Sequence, residues 1–232
     1  MNSKFKKTVG IVTAVVVTTI ALNYIAIKPL SEKIQIENKI KQANFVQETK
    51  NNKMIEAAKN GDIKTVKFML DQGTDVDAKD KYNMTALMHA SWYGNNGVVE
   101  LLISKGARVN LNFNGGYGTA LMCALRHGHV EIAKLLIKAG ACVNEEDCWG
   151  KTALMYASEY APIEIVKLII DRGVYVNKCD IYHQTALKYA SGRASGHKEI
   201  EELLKKHGAK VHTGMREEIL KLSEEKNQDK KQ

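Results

Sequence analysis

Cysteine, histidine and carboxylate are the residue types that could do chemistry in this chain, and their spacing decides which chemistry is open to it. Cys179-x-x-x-His183, with Cys148 upstream, is the one metal-like arrangement in the chain. Zinc sites want four ligands in registered pairs, and these three residues fall short of that, so no metal site is expected. His89, His127, His129, His183, His197, His207 and His212 are scattered, and none pairs with a nucleophile in a recognisable pattern. The chain has no P-loop, no dinucleotide-binding glycine set and no GxSxG. The sequence therefore implies no catalytic residue, no cofactor and no small-molecule substrate.

Residues that carry binding energy are better ordered. One phrase recurs: Thr85-Ala-Leu-Met88, Thr119-Ala-Leu-Met122, Thr152-Ala-Leu-Met155 and Thr185-Ala-Leu-Lys188. Three residues before these threonines stand Tyr82, Gly116, Trp149 and Tyr182, with Tyr117 one step off in the third copy. The turn after each phrase adds Trp92 and Tyr93, Arg126 and His127, and Glu159 and Tyr160. Tryptophan, tyrosine and arginine are enriched in binding hot spots. The chain has 9 tyrosines, 2 tryptophans and 4 phenylalanines. Tyr82, Trp92, Tyr93, Tyr117, Trp149, Tyr160 and Tyr182 all fall on these two register positions, although some of the rings could simply pack on their neighbours. Together with Arg126 and His127 they are the expected partner-binding residues.

The elements that must hold these residues follow from the period. Successive phrases begin 34, 33 and 33 residues apart. Such a period marks a stacked solenoid. Gly73, Gly106, Gly140 and Gly173 precede the phrases by twelve or thirteen residues, and Val76, Val109, Val143 and Val176 follow those glycines. Val99, Leu102 and Ile103, then Val130, Ile132, Leu135 and Leu136, then Ile163, Val166, Leu168 and Ile169 supply expected inward stripes of second helices. A degenerate first copy covers Met54–Gly61 and its continuation Val66, Met69 and Leu70, as an end repeat with a polar outer face would.

This pattern resembles the ankyrin repeat over roughly two-thirds of the chain. The resemblance implies a mainly α solenoid of five repeats over residues 53–212, stacked helix–turn–helix pairs with β-hairpin-like loops. It implies a concave wall of loop tips and first-helix faces that binds a protein partner. It gives His129 and His197, at the family's Gly-His turn, a structural role. Two departures stand out. The family's Thr-Pro-Leu-His has become Thr-Ala-Leu-Met, so a fixed φ and a tying histidine are lost and a softer array is expected. The loop Asn110–Gly118 carries one extra residue, and its tip is expected to be mobile.

Hydrophobic content of 44% is that of an ordinary globular chain. Half of the net charge of +8 sits in residues 1–30, as Lys4, Lys6, Lys7 and Lys28 without an acid. Elsewhere lysines interleave with acids, which argues against nucleic acid. Residues 1–7 form a basic flank. Residues 8–27 are uncharged and long enough to span a bilayer, so an N-terminal hydrophobic helix and a single-pass membrane localisation are expected. The alternative is a signal sequence cleaved at Thr19-Ile-Ala21, giving a secreted or periplasmic protein that acts on a distant target. Residues 28–52 are expected to be a juxtamembrane linker with a short helix through Ile36, Ile40 and Ala43. Residues 213–232 should form a capping helix and a charged tail. The four cysteines are expected to be free, with Cys123 and Cys142 packed and Cys148 and Cys179 near loop tips. The expected function is a non-catalytic, membrane-tethered, monomeric scaffold that binds a protein.

Overall fold

The computed structural model describes residues 30–112, 116–192 and 197–210. The chain falls into two compact units, residues 1–50 and 51–232. The described residues form ten helices: α1 Leu30–Lys59, α2 Ile63–Asp71, α3 Ala86–Tyr93, α4 Asn96–Ser104, α5 Ala120–Arg126, α6 Val130–Lys138, α7 Ala153–Tyr160, α8 Ile163–Ile170, α9 Ala186–Ser191 and α10 Lys198–Lys206. No strand occurs among the described residues. The loop tips carry only isolated antiparallel bridges, Lys79 with Thr85, Glu146 with Thr152 and Cys179 with Thr185.

Each phrase threonine starts a helix. Its backbone is extended (φ −89° to −100°, ψ 165° to 167°), and its hydroxyl accepts from the N–H three residues on. That bond satisfies one of the orphan donors of the first turn. The following Ala-Leu-Met is buried in three copies, with Met88, Met122 and Met155 each at most 2% exposed. In the fifth copy Lys188 takes the methionine's place and is exposed. Methionines pack where another repeat follows, and the last phrase turns a charge to water, as a terminal repeat must.

The helices stack in two layers. α3, α5, α7 and α9 pack in succession, and α2, α4, α6, α8 and α10 do the same behind them. Apolar burial holds the stack: Val66, Val99, Leu102, Ile132, Leu136, Ile165, Val166, Ile169, Ile200 and Leu204 are all at most 3% exposed. A polar clasp links successive repeats beside the glycine turns. Asn110 Oδ1 accepts from Cys142 N–H at 2.7 Å while its amide donates to Gly140 O at 3.1 Å. Asn144 does the same to Tyr175 N–H and Gly173 O, and Asn177 to Lys210 N–H and Gly208 O. Asp77 stands in the earliest of these places. It accepts from Arg108 N–H at 2.9 Å and, having no amide to donate, takes Arg108 Nε at 2.8 Å instead.

Several expectations change. Leu168 is 39% exposed, while Ile165, Val166 and Ile169 form the buried stripe of α8. Leu168 stands about 100° round the helix from the middle of that stripe. Cys142 is exposed, because Ala141 and Val143 on either side of it face inward. The linker's short helix is part of the longer α1, whose last turns supply the buried Met54, Ile55, Ala57 and Ala58 of the repeat unit.

No helix of the described residues is long and apolar enough to cross a membrane. The longest, α1, has 30 residues but carries Glu32, Lys33, Glu37, Lys39, Lys41, Glu48 and Lys50 along its length. This finding overturns the single-pass membrane localisation; the secreted or periplasmic alternative rests on the same N-terminal run, which lies outside the described residues. Residues 8–27, the tip of the Asn110–Gly118 loop at 113–115 and the expected capping helix at 213–232 lie outside the described residues.

Candidate functional site

The loop tips are built by one aspartate device. Asp80 Oδ1 accepts from the N–H groups of Tyr82 and Met84 at 2.8 and 2.9 Å. Asp147 does so from Trp149 and Lys151, and Asp180 from Tyr182 and Gln184. Such side-chain bonds two and four residues on make a tight turn. The residue after each aromatic then adopts a left-handed backbone: Asn83 (φ 60°), Gly150 (φ 72°) and His183 (φ 57°). In the third copy Gly118 (φ 73°) holds that conformation, one step nearer its threonine. Tyr117, immediately before Gly118, is therefore the structural counterpart of Tyr82, Trp149 and Tyr182. The extra loop residue shifted the numbering and kept the aromatic.

The same aspartates reach back to the first helices. Asp147 Oδ2 accepts from the Tyr156 hydroxyl at 2.6 Å and Asp180 Oδ2 from the Tyr189 hydroxyl at 2.5 Å. His89 Nε2 and Asp80 Oδ2 lie 2.8 Å apart, the ring nitrogen donating to the ionised carboxylate. Burial, reinforced by the aspartate charge, pushes both tyrosine hydroxyls well above their usual range. Burial lowers the His89 pKa despite the opposing pull of Asp80. Burial works against ionised Asp80 as well, but the bonds from His89, Met84 and Tyr82 hold its carboxyl below the usual range. In the third copy Cys123 fills this helix position and donates weakly to Tyr117 O at 3.9 Å. Burial pushes its thiol up to about 12, so it is inert.

On this frame the side chains converge on Arg126, the last residue of α5. The Trp92 and Tyr117 rings meet edge to face at 4.4 Å, and Tyr117 lies 6.0 Å from Trp149. The Arg126 guanidinium carbon sits 5.8 Å from the Trp92 ring centre, 5.3 Å from Tyr117, 5.7 Å from Trp149 and 6.0 Å from Tyr156. Arginine over aromatic faces at these distances gains of order 0.5–1 kcal/mol per contact. His127 leans on Trp92 at 4.1 Å, and its pKa is lowered by burial, then by His129 and Arg126. His129 Nε2 bonds Trp92 O at 2.9 Å, a tie between neighbouring turns.

Two pockets flank this cluster. One, of about 160 Å³, is lined by Met84, His89, Trp92, Tyr93 and Tyr117. The other, of about 220 Å³, is lined by Arg126, Trp149, Lys151, Tyr156, Tyr160 and Tyr182. Eight of the nine sequence-expected residues are thus brought together: Trp92, Tyr93, Tyr117, Arg126, His127, Trp149, Tyr160 and Tyr182. Tyr82 stands apart, 59% exposed, with Lys81 over its ring at 4.9 Å. Tyr156, Lys151, Met84 and His89 were missed. A signal for two of them existed, since Asp80, Asp147 and Asp180 precede His89, Tyr156 and Tyr189 by nine residues in every case. Among the described residues no group of histidine, cysteine and carboxylate side chains is arranged to hold a metal.

The family model for ankyrin repeats (3 copies) matches residues 26–113, 111–180 and 144–215. The chain belongs to the ankyrin repeat family. Over 69 residues it is 38% identical to an ankyrin repeat protein of Acanthamoeba polyphaga mimivirus, a stretch covering 28% of this chain and 43% of that protein. Over another 69-residue match it is 41% identical to the human mitochondrial disaggregase, covering 29% of this chain and 10% of that protein. The chain thus spans less than half the length of either relative. Ankyrin repeats are a protein-interaction architecture and are generally not catalytic. In this ankyrin chain methionine stands in three copies of the phrase, and Lys188 in the last, where the family's Thr-Pro-Leu-His has histidine; His129 ties to Trp92 O, and the Asn95 amide donates to Ala58 O and Lys59 O at 2.7 Å.

Proposed function

We propose that this ankyrin chain is a non-catalytic binding module that holds a protein segment against its loop tips and first-helix ends. The observation that carries the reading is the aromatic ladder Trp92–Tyr117–Trp149 closed around Arg126, with a pocket on either side. Rings already braced by their neighbours lose little side-chain freedom when a partner lands on them, so more of the contact energy remains as affinity. Tyr93 and Tyr182, 55% and 64% exposed, extend the apolar area to either end. The chain acts as a monomer, each copy presenting one such face.

The test is selection of phage-displayed random peptides on the immobilised full chain. Peptides recovered on the wild type should lose binding to a variant with Tyr82, Trp149 and Tyr182 all changed to alanine, while its circular dichroism stays helical. Unchanged capture by that variant would sink the reading.

A further inference from the structure

Arg126 is unusually placed for a surface arginine. Rings of Trp92, Tyr117, Trp149 and Tyr156 surround its guanidinium at 5.3 to 6.0 Å. Among the described residues no carboxylate forms an ion pair with it. Asp147 and Glu159 both face other groups. Asp147 is 7% exposed and is occupied by Tyr156 and two backbone N–H groups. Glu159 faces Lys151 at 3.6 Å. Lys151 in turn lies over Tyr156 at 5.3 Å and Tyr189 at 4.2 Å. Among the described residues the larger pocket therefore presents one guanidinium that lies beside the Tyr156 hydroxyl and has no carboxylate partner, and one lysine that already faces an acid.

We infer that the bound segment carries an aspartate or glutamate whose carboxylate is clamped by Arg126, next to an apolar side chain that enters the pocket beside Trp92. This rests on the reading of the face as a binding surface and names what it selects. The rings pack around the guanidinium at 5.3 to 6.0 Å, and its fork of N–H donors suits a planar acceptor. A carboxylate matches that fork two bonds to two. A doubly charged phosphate would want further cations, and Lys151 already faces Glu159 at 3.6 Å. The neighbouring pocket is lined by Met84, Trp92, Tyr93 and Tyr117 around the buried His89, and its surface is mostly carbon. An apolar side chain therefore suits it. Charge and shape thus alternate along the wall: apolar beside Trp92, anionic at Arg126.

Peptides selected from the random phage library decide the matter on the wild-type chain. Both tryptophans of the protein lie against Arg126, at 5.8 and 5.7 Å, so intrinsic fluorescence reports occupancy without a label. Selected peptides should contain an acid beside an apolar residue. Replacing that acid with its amide should weaken binding about tenfold or more, the loss expected for a charge-assisted hydrogen bond. Arg126→Lys, which keeps the charge and loses the fork, should weaken the acidic peptide by a larger factor than its amide. Three results overturn the inference: selected peptides without an acid, equal affinity for acid and amide, or equal binding of the acidic peptide by the wild type and Arg126→Lys. If such peptides still depend on Tyr82, Trp149 and Tyr182, the binding face stands and only its acid preference falls. If no peptide is enriched, or binding ignores those three residues, both readings fall.

Discussion

The Tyr156 hydroxyl donates to Asp147 Oδ2 at 2.6 Å, and through that bond a first helix fixes the loop tip that carries Trp149. Asp147 is buried and its other oxygen holds the tip's backbone N–H groups. Tyr156→Phe keeps the ring beside Arg126 and removes only the donor. It should cost about 1–3 kcal/mol, the penalty for leaving a buried charged acceptor short of a partner. Urea unfolding followed by circular dichroism measures it.

His89 occupies the same place in the second repeat, and there the device becomes sensitive to pH. Burial, against the pull of Asp80, places the folded histidine below the ordinary imidazole value of 6.5. The unfolded chain therefore takes up the proton first as pH falls. Stability from this group is complete above about pH 6.5 and declines on acidification. Asp80, also held below the ordinary aspartate value of 3.8, adds loss of the same sign at still lower pH. The urea midpoint should fall between about pH 7.5 and pH 5. His89→Tyr copies the arrangement of Tyr156 and Tyr189, and its midpoint should be flatter over that range.

How far the sequence revealed this site depended on what each residue type signals. The Thr-Ala-Leu phrase shows plainly in the sequence because each threonine caps a helix, α3, α5, α7 or α9, by a local bond three residues long. Counting back from it found Trp149 and Tyr182, and nearly found Tyr117. The left-handed Gly118 explains that single-step slip. Tyr156 escaped notice because its helix position holds histidine, cysteine and tyrosine in different copies, which reads as variable core. Its function depends on Asp147 across the turn, a pairing visible only when two register positions are compared. Leu168 and Cys142 were misplaced for a plainer reason: apolar type alone does not say which side of a short helix or turn a residue takes.

The asparagine clasp should govern how the repeats unfold together. Asn144 accepts from Tyr175 N–H at 2.9 Å and donates to Gly173 O at 3.1 Å, joining adjacent turns. Asn144→Ala removes both bonds and should cost about 1–3 kcal/mol. Asn144→Asp keeps the acceptor and loses the donor, so its cost should be roughly half as large. In a solenoid, weakening one interface also loosens cooperativity. The alanine variant should therefore show a lower m-value, or a second transition, in urea unfolding.

The alanine after each cap is a place where this chain is open to stabilisation. Ala153 is the first residue of α7, where a missing N–H leaves no helical bond unmade. Thr152 before it sits at φ −100° and ψ 166°, the extended backbone that a following proline requires. Ala153→Pro should therefore reduce the freedom of the unfolded chain at little cost to the folded one, raising stability by about 0.4–1 kcal/mol. Ala153 is 0% exposed, so the ring must fit beneath its neighbours. Ala86 and Ala120 hold equivalent positions after Thr85 and Thr119, with the same extended backbone before them. If proline is accommodated at all three, the melting temperature of the triple variant should exceed that of Ala153→Pro by increments of similar size. A decrease at Ala153 alone would show that the buried methionines have closed the space that proline needs.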